Sequence, residues 1–164
     1  MSDGLTPLWT ALEATPFARA IAGGVLFPWI ESLHVLAATT VVGTIAMVDL
    51  RLLGLRSNER GVRKLISEVL PYTWTGFAVA AVSGFLLFSS SATTYAVNPF
   101  FQAKVVLLIL AGINMTFFHL LPYRSIHLWD ELIHPPRRAK VAGALSLCCW
   151  AAVVACGRWI GFSQ

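Results

Sequence analysis

The sequence predicts an all-α integral membrane protein: a four-helix bundle preceded by an interfacial amphipathic helix, with both termini on the outer side. Three observations lead there. Of 164 residues, 57% are hydrophobic and only 12% are charged, against about 25% charged in an ordinary soluble domain. Four apolar runs have roughly the ~20 residues needed to cross a bilayer. Nine of the twelve Lys and Arg residues fall in two short stretches between those runs. With a mean hydropathy of +0.71, the composition disfavours a soluble enzyme, a disordered chain and a disulfide scaffold.

The first element is an amphipathic helix over residues 6–22. Leu8, Trp9, Leu12, Phe17 and Ile21 are its apolar members and Pro7 sits near its start, so it suits the outer membrane–water interface. Asp3 and Glu13, with no Lys/Arg-led beginning, argue against a cleaved signal peptide. The transmembrane helices follow at 27–53, 71–89, 99–121 and 141–162. Pro28, Pro71, Pro99 and Pro122 mark their ends, where proline is tolerated or terminates a helix. The runs are continuous rather than alternating, which excludes barrel strands. Between the last two spans, Ile126, Leu128, Trp129, Leu132 and Ile133 suggest an inner-face helix ended by Pro135 and Pro136. Residues 1–164 form a single membrane domain.

Charge sets the direction. Arg51, Arg56, Arg60, Arg63 and Lys64 lie at the first connection; Arg124, Arg137, Arg138 and Lys140 lie at the third. The segment Ser89–Gln102 has no charge. The positive-inside rule puts both basic loops in the cytoplasm of a bacterial inner membrane. These cations meet anionic lipid headgroups rather than nucleic acid. Cys148, Cys149 and Cys156 share one apolar segment and read as small packing residues.

Ionisable groups at membrane depth are candidate functional residues. His34 and Lys104 enter the bilayer from the outer side, and Arg158 and Cys156 reach a similar level from the fourth span. Glu31 lies one turn above His34 on the same face. Asp49 follows His34 by fifteen residues, as His119 follows Lys104. That spacing leaves ~60° of angular offset and advances the helix roughly 22 Å. The simplest arrangement makes spans one and three neighbours, with His34 facing Lys104 in an outer layer and Asp49 facing His119 in an inner one. Asn114 can join the inner group. Asp49, Arg51, Lys104 and Arg158 also have the option of snorkelling to water or phosphate, and His119 that of interfacial bonding beside Tyr123 and Arg124. His127 and His134 belong to the solvated loop.

Imidazole is a common ligand of haem iron, and a helical bundle is a common container for it. His34 is the candidate axial ligand, with Lys104 as second metal ligand or propionate contact and Arg158 and Glu31 around them. Ala37, Ala38, Gly43, Ala80, Gly84, Ala111 and Gly112 would let a flat macrocycle approach the backbones. His34 and His119 are too far apart along the membrane normal, by about 15–20 Å, to hold one iron. Glu31, His34 and Cys156 form an alternative, copper-compatible ligand set. A second Glu-x-x-His, which a di-iron carboxylate site needs, is missing, as are GxSxG, HExxH and P-loop patterns.

His34 followed by Arg51-Leu52 near the first span's inner end, with a later span opening at Lys104 and closing at His119, resembles the HemJ-type protoporphyrinogen oxidase family. It is also similar to the membrane domain of the CopD copper-resistance family. The likeness covers roughly 60 residues of spans one and three. It implies haem b at His34 and Lys104. The chain lacks the aromatic-rich Tyr-His ending of the HemJ-type segments, and its general look is that of small bacterial membrane proteins without an assigned activity. The expected function is a haem b-binding membrane subunit that transfers electrons between the quinone pool and an exported redox partner, or anchors that partner. A copper or small-solute transport or assembly component, and a cofactor-free structural subunit of a larger complex, are the alternatives.

Overall fold

The computed structural model describes residues 5–55, 61–130 and 135–163. Arg56, Arg60, Asp3, Leu132, Ile133 and His134, all used above, lie outside them. Every regular element among the described residues is helical. Four helices are long and apolar enough to span a membrane: α3 (Leu26–Leu53), α4 (Val62–Ser90), α6 (Pro99–Leu120) and α7 (Arg137–Ile160).

The expected 6–22 helix is two helices, α1 (Thr6–Glu13) and α2 (Pro16–Ala22). Pro16 disfavours a helical Thr15 and has no N–H to continue the ladder. Thr15 instead caps α2, its Oγ1 accepting from the Ala18 N–H at 3.3 Å. Ala18 and Ile21 are fully buried, so the pair is docked on the bundle. Trp9 meets Phe88 edge-on at 5.4 Å, and Phe88 stacks on Phe101 at 5.2 Å. The Glu13 carboxylate accepts from both the N–H and the hydroxyl of Thr93, each at 2.8 Å. That fastens α1 to the start of α5 (Ala92–Val97), a short helix in the uncharged connection.

The second span begins nine residues earlier than Pro71 suggests. Val62, Leu65 and Ile66 are buried on one face of an extra amphipathic stretch, while Arg63 and Lys64 point outward. Its first turn is capped from a distance, because Asp130 Oδ1 accepts from the Arg63 N–H at 2.7 Å. Pro71 therefore sits inside the helix, a position that membrane helices tolerate. The fourth span also begins earlier, at Arg137 directly after Pro136. In the third connection the expected helix is reduced to a 3-10 segment, Tyr123–Leu128.

A buried apolar cluster closes the end of the bundle that carries the basic clusters: Leu52, Val62, Ile66, Phe118, Ile126, Trp129 and Ala139. Trp129 is tied down by its indole N–H donating to the Pro122 carbonyl at 3.2 Å. At the opposite, terminal end, Asn98 caps α6 through Oδ1 and donates to the Ser163 hydroxyl at 2.9 Å. The N-terminal helices, the α4–α6 connection and the C-terminal end of α7 thus share one end.

The helices line up in the order α4–α3–α7–α6, with α3 packed along α4 and α7, and α6 along α7. The expectation that spans one and three are main neighbours is corrected. Gly143 explains why. A Cβ there would lie 3.1 Å from both the Asp49 carbonyl oxygen and the Leu52 Cβ, so α7 approaches the α3 backbone closely and takes the position expected for α6. Between α4 and α6 the link is made by side chains, with Phe88 on Phe101 at one end and Val62 and Ile66 sharing a cluster with Phe118 at the other.

Candidate functional site

The outer polar layer is assembled from all four spans. On α4, Ser83 is buried and its hydroxyl donates to the Val79 carbonyl at 2.6 Å. Its oxygen is 3.0 Å from His34 Nδ1 on α3. With the hydroxyl proton committed to Val79, the Ser83 oxygen accepts and Nδ1 carries the imidazole proton. Nε2 is left with its lone pair. Gly84 makes room for the ring, since a Cβ there would sit 3.0 Å from His34 Cε1.

Lys104 comes in from α6. Its ammonium rests against α7, with Nζ 3.7 Å from where a Cβ on Gly157 would be. Its charge reaches the imidazole of His34 and the thiol of Cys156. His34 and Lys104 therefore belong to one electrostatic unit although α3 and α6 are not main packing partners. α7, with its glycine at 157, fills the space between their helices.

Two expected members are exposed rather than held inside the bundle. Arg158 is exposed, its guanidinium 4.8 Å from the centre of the Phe162 ring, a cation–π contact within its own helix end. Glu31 is exposed on the outer turn of α3. Among the described residues, no three His, Cys, Asp or Glu side chains come together to hold a metal ion. The copper set of Glu31, His34 and Cys156 is thus not assembled.

The expected inner pair is also separated. Asp49 is 4% exposed and bonds to Ser146 of α7, while its Oδ2 has no hydrogen-bond partner. Asn114 donates to the Ala142 carbonyl at 2.9 Å, fastening α6 to α7 rather than joining Asp49. His119 is exposed, with Nδ1 2.9 Å from the Met115 carbonyl of its own helix and its ring 5.2 Å from that of Tyr123. It lines a cavity of about 280 Å³ with Leu70, Trp74, Met115, Thr116 and Leu120, between α4 and α6. Cys148 is exposed and Cys149 and Cys156 are half-buried, all as free thiols.

Sequence reasoning passed over Ser83, Gly157 and Ser146. Ser83 carried a usable signal: a hydroxyl in the middle of an apolar span needs a partner, and His34 needed one too.

The fold and its polar layer define a class, the multi-pass helical membrane protein with ionisable residues held inside the bundle. More particularly, the chain belongs to DUF6644, a family of unknown function, whose model matches residues 9–163. That agrees with the sequence's look of a small membrane protein without an assigned activity, and no likeness to HemJ-type or CopD-type proteins accompanies it. No curated protein and no solved structure matches the chain.

Proposed function

We propose that the chain is a haem b-binding subunit of a bacterial inner-membrane redox complex, with the group held at the His34–Lys104 layer. The observation that carries it is the state of His34: Nδ1 is fixed by Ser83, so Nε2 presents a lone pair on an oriented ring. A metal-binding histidine commonly has this arrangement, its second nitrogen held by a hydrogen bond. Gly84 gives the imidazole room to lie against α4, and Lys104 supplies either a second nitrogen or a cation for a propionate. When bound, the group would supply one-electron transfer.

The residues divide the remaining work. Ser83 holds the tautomer and orientation of His34. The aromatic contacts of Trp9, Phe88, Tyr95 and Phe101 cover the terminal end between α4 and α6 and limit water there. In this reading the subunit works beside a partner, either an exported redox protein or the core of a larger complex. The basic loops face the cytoplasm and both termini face outward in this proposal.

The visible spectrum of the purified protein is the test. A Soret band with a reduced α-band is expected, and His34→Ala should abolish both. Ser83→Ala should retain the fold and weaken haem binding by roughly 10–100-fold. Intact wild-type protein that stays colourless after haem reconstitution would overturn the proposal.

A further inference from the structure

The cavity at His119 has a chemistry of its own, separate from His34. Its lining comes from α4 (Leu70, Trp74) and α6 (Met115, Thr116, His119, Leu120), two spans whose backbones are not main packing partners. Trp74, Met115, His119 and Leu120 are all exposed on the apolar flank of the bundle. A ligand therefore reaches the cavity from the hydrocarbon and has to be lipid-soluble.

The polar groups narrow the ligand further. A carbonyl oxygen only accepts, so the Met115 contact makes His119 Nδ1 the donor. In neutral imidazole Nε2 is then an acceptor. Thr116 is committed as well, its hydroxyl donating to the Gly112 carbonyl at 2.9 Å. Both side chains can offer the cavity an oxygen or nitrogen lone pair, and neither has a proton left to donate. Trp74 adds an aromatic face or edge. The complementary molecule is a flat, apolar ring bearing a hydroxyl donor. A fatty acyl chain satisfies none of these groups, and a quinone offers only acceptors.

We propose that this cavity binds the headgroup of a lipid-soluble quinol, with a ring hydroxyl donating to His119 Nε2 and the ring against Trp74. The site adds a substrate class to the redox reading but does not require haem. It lies toward the end of the bundle opposite to His34, about 15–20 Å away along the membrane normal by helix rise.

The test uses the full chain, haem-free, in lipid nanodiscs, with isotope-labelled histidine. Tetramethylhydroquinone is titrated under reducing conditions and the imidazole nitrogen resonances are followed. The His119 Nε2 signal, assigned by its loss in His119→Gln, should move, while that of His34 should not. The dimethyl ether of the same ring, with no hydroxyl proton, should bind about three- to tenfold more weakly, the range one net hydrogen bond represents. Trp74→Ala should also weaken binding without altering the His34 signal, which reports an intact fold. An unmoved Nε2, or equal affinity for the quinol and its ether, would overturn the proposal; the latter would mark the cavity as an ordinary lipid groove. Because no haem is present, failure here is distinct from a failed spectrum at His34.

Discussion

Single glycines separate close contacts from open space in this bundle. Gly143 and Gly84 both face a tight neighbour, whereas Gly43 and Gly112 have nothing within 4 Å of where a Cβ would stand. Substitution by alanine should therefore have opposite signs. Gly143→Ala pushes on the Asp49 backbone and should destabilise by roughly 1–3 kcal/mol. Gly43→Ala and Gly112→Ala remove a helix-interior glycine without a clash and should stabilise by up to about 1 kcal/mol. Denaturant unfolding in detergent measures all three. Gly84→Ala should leave unfolding nearly unchanged but shift the His34 nitrogen resonances, because the added methyl meets a side-chain ring and not backbone. The sequence showed Gly43, Gly84 and Gly112 as equally small, and only the three-dimensional neighbours tell them apart.

At the scale of elements, distant carboxylates decide where helices start. Glu13 secures α5, and Asp130 caps α4 from the far side of the chain. Glu13→Ala removes two hydrogen bonds and should loosen α1 and α2 locally, by about 1–3 kcal/mol. The expected outcome is faster amide exchange across residues 6–22 and 92–97 with the four spans still protected. These caps also explain which boundaries could be read. The four apolar runs were legible because lipid demands them, and the third span was placed within one residue. The start of α4 was not legible, since Pro71 looked like a beginning and the actual cap, Asp130, is 67 residues from Arg63 in sequence. The break at Thr15–Pro16 was available in the sequence but outweighed by the apolar periodicity on both sides of it.

The whole molecule exposes 10381 Å², whereas a compact soluble protein of this mass would expose about 8,000 Å². Large apolar side chains exposed along all four spans go with that excess, and lipid or a partner subunit is the natural cover. Direction across the membrane can be tested in a cysteine-free background. Thr94→Cys and Ser163→Cys should react with a membrane-impermeant maleimide in intact cells, and Lys140→Cys only after permeabilisation. The reverse pattern would invert the orientation. Helix rise suggested the level of each polar residue along its span, and from that the expectation of a layer around His34 and Lys104. Helix order was not readable. Equal spacing of two ionisable pairs suggested adjacent spans, but small residues on α7 determined the packing, and Asp49 and His119 ended on different faces.

The order α4–α3–α7–α6 bears on how the protein is made. The first two spans form a hairpin whose own contacts include that of His34 with Ser83. The third span has no main partner among the helices inserted before it. The fourth span, α7, is the main joint between the halves, fitting Gly143 against the first span and Gly157 against Lys104. Until α7 is inserted, the nascent chain carries a lysine at membrane depth with no helix to shelter it. Assembly of the polar layer therefore waits for α7, and an insertase or quality-control protease that senses an unsheltered charge would encounter this protein at its third span.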